Sequence, residues 1–208
     1  LASPEEARYL TALILGDLRT GVSKGLVIEA IAASFSMPAD EIRRAWGACG
    51  NLGHVAQVAS NRNLDQIRSI TVSLFRPAKP MLATSIDDLS EMVGAISKYA
   101  LEMKYDGARV QIHKKGEDIR IFSRGLTEVT DSLPEIVDII QHYVKPMNVI
   151  LDGEVVATDT SGKPYPFQVV MRRFGRKRDI EQSEKVIKLA LHVFDILFLE
   201  NKPLLNEE

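Results

Sequence analysis

The chain has 208 residues, 45% of them hydrophobic and 26% charged, with a formal charge of −2. That balance excludes a disordered or low-complexity chain, and its near-neutral sum gives no sign of an overall basic nucleic-acid binder, although a basic stripe on one face stays compatible with it. A single cysteine, Cys49, excludes an intrachain disulfide and fits a reducing compartment; the longest apolar stretch, Leu189 to Leu199, is too short to span a bilayer.

The first half is helical in period. Ser3-Pro4-Glu5-Glu6 supplies a capping serine, a proline at the first helical position and acids in the first turn. Leu10, Leu13, Ile14 and Leu18 follow at helical spacing, and Gly21 ends the segment. A second helix is expected from Ser23 to Phe35 with Leu26, Val27, Ala30 and Ile31 toward a core, a third near Ile42 and Trp46, and a fourth from Asn51 to Ala59. Helices without strands over this length suggest a bundle or part of one. Ile70, Val72 and Leu74 then alternate with polar neighbours, and Arg76-Pro77-Ala78-Lys79-Pro80 breaks helix. The boundary placed there gives a helical domain over 1–75 and a second domain over 76–208.

The second domain reads as one helix, Ile86 to Lys98, followed by strands Ala100 to Tyr105, Arg109 to Lys114 and Asp118 to Ser123. The middle strand alternates, with Val110 and Ile112 on one face and Arg109, Gln111 and His113 on the other. Lys115-Gly116-Glu117-Asp118 has hairpin-turn chemistry. A helix from Leu133 to Tyr143, a strand from Val149 to Thr158 and a short helix from Phe167 to Arg173 come next. Leu189 to Leu199 is so continuously apolar that a central strand is expected. Hairpin-paired strands with helices outside define an α+β class.

Chemistry concentrates around Lys104-Tyr105-Asp106-Gly107, with Glu102 before it and Arg109 after. A lysine amine, with a free pKa of about 10.4, becomes a nucleophile only where neighbouring cations or desolvation remove its proton. By itself the pattern also describes an ordinary charged turn. Downstream, however, Ser123-Arg124-Gly125, Leu151-Asp152-Gly153-Glu154 and Phe194-Asp195-Ile196 follow in order. Together these segments resemble motifs I, Ia, III and IIIa of the covalent nucleotidyltransferases, and among them the ATP-dependent DNA ligases of archaeal and eukaryotic replicative type. The resemblance covers the whole chain: residues 1–75 are similar to the C-terminal part of that family's helical DNA-binding domain, and 76–208 to the N-terminal part of its antiparallel-sheet-rich, ATP-grasp-like adenylation domain.

The resemblance implies that Lys104 attacks the α-phosphate of ATP, expels pyrophosphate and carries AMP as a phosphoramidate. It implies further that Glu102 contacts the adenine edge and that Arg109 lies near the ribose and the 5′-phosphate end. Arg124 would hold the ribose or the nick phosphate, Glu154 would bond the ribose hydroxyl and help site Mg2+, and Phe194 would be the platform under adenine. Asp152, on the face of Glu154, is read as structural. Arg109 also favours the ATP-dependent branch, because NAD-dependent bacterial ligases usually carry Gly-Leu-Ala after K-x-D. The basic run containing Arg172, Arg173, Arg176 and Lys177, and Lys24 beside two glycines at a helix start, are candidate contacts to DNA phosphates.

The implied cofactors are ATP and Mg2+, and the implied partner is nicked duplex DNA, with a sliding clamp reached through a region outside this chain and no membrane. The implied compartment is the cytoplasm of an archaeon or a eukaryotic nucleus. A second glutamate-glycine motif, the paired-lysine motif and the oligonucleotide-binding domain of the family are not found. The chain therefore reads as a piece of a longer ligase, expected to be inactive alone and to expose apolar strand edges near Leu189 to Leu199. An RNA ligase or mRNA-capping enzyme, and a non-catalytic DNA-binding module that keeps the motifs as scaffold, are the competing readings. The helical domain upstream of Lys104 argues for the DNA ligase.

Overall fold

The computed structural model describes residues 2–15, 21–81, 85, 88, 90, 101–171, 188–205 and 207. Two compact units emerge, one formed by residues 1–45 and 51–69, the other by 46–50 and 70–208. All of the expected helix Ile86 to Lys98 except residues 88 and 90 lies outside the described residues, as do the basic run Arg172 to Arg178 and Leu18.

The first unit is helical. Helix α1 (Pro4–Ile14) starts on a capping box in which Ser3 N donates to Glu6 Oε2 at 2.8 Å and Glu6 N to Ser3 Oγ at 3.3 Å. It buries no residue, so its apolar stripe of Leu10, Leu13 and Ile14 faces solvent in this chain. Helices α2 (Lys24–Phe35), α3 (Ala39–Cys49), α4 (Leu52–Ala59) and α5 (Leu64–Arg68) hold the core, in which Ile28, Ile42, Val55 and Ile67 are fully enclosed. In α2 the buried residues are Ile28 and Ala32; Leu26 and Ala30 are exposed, because the inward stripe is rotated from the one expected. The short α5 was not legible in the sequence; Asn63 caps it, and Arg44 donates to Ile67 O at 2.8 Å.

The second unit carries a five-stranded antiparallel sheet of order β2-β1-β3-β4-β5. Its strands are β1 (Ala108–Lys115), β2 (Asp118–Ser123), β3 (Asn148–Thr158), β4 (Lys188–Leu199) and β5 (Lys202–Pro203), with helices α6 (Pro134–Tyr143) and α7 (Phe167–Met171) between them. A two-residue turn with Gly116 at φ 61° closes the β1–β2 hairpin. On one face Val110, Ile112, Ile121, Leu151 and Val155 pack with Leu133, Ile136 and Ile140 of the α6 region.

The other face of β1 is polar and buried. Gln111 Oε1 accepts from Ala78 N at 2.7 Å, and His113 Nδ1 accepts from Phe75 N at 2.9 Å. These two side chains fasten residues 75–78 across the sheet and so set the direction in which Pro80 and Met81 leave it.

Two expectations are corrected. Residues 101–106 form no strand. A Cβ at Gly107 would lie 2.4 Å from Val155 O, so the chain crosses over the face of β3 instead of adding to an edge. The β4 strand is not buried on both faces: Val193, Phe194 and Ile196 are 46%, 41% and 41% exposed, and among the described residues β5 covers only Phe198 and Leu199. Its continuous apolar run has another cause. Asp152 pairs with Asp195 but Gly153 with Val193, and Leu151 with Ile196 but Ile150 with Phe198, so Phe194 and Leu197 are bulged residues that break strict alternation.

Candidate active site

Antiparallel register lines up Arg109, Glu154 and His192 in one row across β1, β3 and β4, on the face opposite the α6 core. A cleft of about 580 Å3 opens over this row. Its lining includes Lys104 and Gly107 from the crossing segment, Arg109, Arg124, Glu154, Phe194, and Pro80 and Met81 from the fastened linker. Volume and lining suit a nucleotide-sized ligand.

Each side chain has a local reason for its place. Arg109 is gripped by Asp152, with Nε–Oδ1 at 2.9 Å and Nη2–Oδ2 at 2.6 Å. This fork leaves the guanidinium pre-oriented and raises its pKa, first through the hydrogen bonds to Asp152. The Asp152 carboxylate is buried and bound to Arg109. The guanidinium also sits 5.6 Å from the centre of the Phe194 ring. The β-bulge aims Phe194: an aromatic on a regular strand would belong to a packed face, and this one is 41% exposed at the cleft.

Burial pushes the Glu154 carboxyl up, while the Gly107 N–H and the charges of Lys104 and Arg109 pull it down. Desolvation is the largest effect, so the ionised carboxylate is held at a cost that a further cation beside it would lower. Gly107 is required by packing: its absent Cβ lets the backbone approach Val155 and brings its N–H to Glu154. At Arg124 the expectation changes. The left-handed residue of that turn is Leu126, with φ 64°, closed by Leu126 N to Ser123 O at 2.8 Å, and a Cβ on Gly125 would make only ordinary contact.

The structure thus brings Lys104, Arg109, Arg124, Glu154 and Phe194 to one cleft, whereas Glu102 is exposed and does not line it. The face shared by Glu102 and Lys104 is lost with the strand that was to carry them. Lys24 lies in the helical unit, as the exposed first residue of α2. Sequence reasoning missed Tyr105, Phe167 and Met171 in the lining. It also missed His192, whose ring stacks on Tyr105 with centroids 3.9 Å apart and planes 15° from parallel. The only sequence signal for that pair is the position of Tyr105 inside the lysine motif.

An amine, two guanidiniums, a half-buried carboxylate and a presented aromatic ring, gathered on an antiparallel sheet, are the equipment of a nucleotide-handling enzyme. The model of the ATP-dependent DNA ligase domain matches residues 80–208. DNA ligase 2 of Methanosarcina acetivorans is 42% identical over 99% of this chain and 36% of its own length, and the DNA ligase of Methanothrix thermoacetophila is 45% identical over 99% and 37%. Among solved structures, the ligase domain of LigD from M. tuberculosis is 28% identical, covers 51% of this chain and 31% of its own, and has a TM-score of 0.40. The chain belongs to the ATP-dependent DNA ligase family. It spans little more than a third of the length of the curated relatives it matches.

Proposed function

We propose that these residues are the first part of the adenylation site of an ATP-dependent DNA ligase that seals nicks in duplex DNA through a lysyl-AMP intermediate, serving replication, repair and recombination. The observation that carries this reading is the convergence of Lys104, Arg109, Arg124, Glu154 and Phe194 on one cleft. The neutral Nζ of Lys104 donates its lone pair to the α-phosphorus of ATP. An N–P bond forms, the bond from that phosphorus to the bridging oxygen breaks, pyrophosphate departs with the electron pair, and the lysine nitrogen loses its remaining extra proton to solvent.

Positioning and charge neutralisation do most of the work in such a transfer. Arg109, fixed by Asp152, and Arg124 offer donors to phosphate and ribose oxygens, and Phe194 offers an aromatic face to adenine. Glu154 fits a role in bonding the ribose and in holding Mg2+. Among the described residues no cluster of three or more ligating side chains occurs, which suits a cation that takes one carboxylate and completes its shell with phosphate oxygens and water. Bound there, Mg2+ would neutralise phosphate charge.

The helical unit, Lys24 and the Arg172 to Lys177 run are proposed to meet DNA phosphates, and a sliding clamp to bind outside this chain. The archaeal relatives make the cytoplasm the expected compartment; no described helix is long and apolar enough to cross a membrane.

Full-length protein incubated with α-labelled ATP and Mg2+ should acquire acid-labile, base-stable label. Lys104→Ala should abolish it, and Lys104→Arg should as well, because a guanidinium keeps its proton. Label persisting in either variant would place the nucleophile elsewhere.

A further inference from the structure

Lys104 sits on a segment that belongs to no strand, yet a nucleophile must be held to within fractions of an ångström. Two contacts immediately after it fasten that segment to the sheet. One is the Gly107 N–H on Glu154, beneath a backbone approach that only glycine allows. The other is the Tyr105 ring, stacked on His192 at 3.9 Å. The two receiving residues are directly paired, Glu154 of β3 with His192 of β4, so both contacts land on one rung of the ladder.

We propose that Tyr105 and His192 form a positioning clamp that sets Lys104 in line with the α-phosphorus, an inference that rests on the reading of Lys104 as the nucleophile. Half-buried planar rings stack with little loss of conformational freedom, since each has only two side-chain torsions to fix. The ring face of Tyr105 that meets His192 is occupied, so that face holds the loop and is not free to bind the base. His192 acts on Lys104 through Tyr105, on which it stacks.

The test uses full-length protein with α-labelled ATP and Mg2+, measuring the rate of adduct formation against ATP concentration, with thermal melts of every variant. Tyr105→Ala should lower the rate at saturating ATP by about 100-fold, the cost of an ångström-scale misplacement, while the half-saturating ATP concentration changes little. His192→Ala should reproduce that loss, and the double variant should fall no further than either single one, as expected for two halves of one contact. Tyr105→Phe and His192→Phe, which keep a stackable ring, should restore most of the rate.

Three results would overturn the clamp: independent, multiplying losses in the double variant; a weakened ATP dependence with an unchanged maximal rate, which would make Tyr105 a base-binding residue; or no loss at all. If Tyr105→Ala does not fold, the comparison of His192→Ala with His192→Phe decides alone. Absence of label in the wild type, or its survival in Lys104→Ala, would instead remove the nucleophile reading and the clamp with it.

Discussion

His113 should make this protein acid-sensitive in a measurable way. Its ring is fully buried, and burial holds its pKa at about 4 against the ordinary 6.5. Nδ1 accepts from Phe75 N, which places the proton on Nε2, and Nε2 faces Gln111 Oε1 at 3.0 Å. Protonation would put a second hydrogen against the Phe75 N–H, on a ladder rung shared with Arg120. Because the folded pKa lies below the unfolded one, the stabilisation is complete above pH 6.5 and is lost as pH falls toward 4. The gap between 6.5 and about 4 corresponds to about 3 kcal/mol.

Urea unfolding from pH 7.5 to 4 would measure this loss in wild type and in His113→Asn. The asparagine Oδ1 can replace Nδ1 as acceptor for Phe75 but does not titrate. The variant should start less stable, and its deficit should shrink by about 3 kcal/mol across the acid range. An NMR titration of the His113 ring should give a midpoint of about 4. Parallel stability curves, or a midpoint near 6.5, would refute the reasoning. In the folded protein the same protonation would loosen residues 75–78, and with them the Pro80–Met81 wall of the cleft.

Three further outcomes are expected. Phe194→Ala in the full-length protein should weaken ATP binding by roughly 1–3 kcal/mol, the range for base stacking, and Phe194→Leu should do likewise; a leucine variant that binds as wild type would mean the ring is only filler. Gly107→Ala should destabilise the second unit by about 1–3 kcal/mol, since the new methyl meets backbone that cannot yield, and should slow adduct formation; an unchanged melting temperature would contradict the close approach. Glu154→Gln should raise the melting temperature at neutral pH while abolishing labelling. The raised pKa means that the ionised carboxylate costs stability, so the gain should fade as acid neutralises the wild-type group; a gain that persists or grows in acid would be the wrong sign.

The sheet was legible where one face met apolar neighbours and the other did not. The strands around Val110 and Val149 and the Gly116 turn follow from alternation and turn chemistry. The segment before Gly107 was misread because nothing local distinguishes a strand joining an edge from a chain laid across a face; the deciding contact, with Val155, is far away in sequence. Gln111 and His113 were assigned to the polar face, but their burial under residues 75–78 depends on a linker whose path has no periodic signature. The site residues were reached mainly through resemblance, and it could not report the partner of Tyr105, since a histidine on an apolar strand carries no mark of what will stack on it.

The bulges of β4 have a bearing on which changes of length this strand can survive. Two surplus residues, Phe194 and Leu197, are taken up within one pairing with β3. Each bulge absorbs one extra residue, so the pairs beyond it keep the faces they present beside β3. Removing Phe194 would therefore leave the end of the strand, where Phe198 packs beside Val72 and Ala78, in its present pairing and forfeit the presented ring. Removing Leu197 would instead cost a buried side chain of that same cluster, which it shares with Ile150. The fold should therefore tolerate deletion of Phe194 and reject deletion of Leu197, so that two irregularities of equal length differ in what they hold.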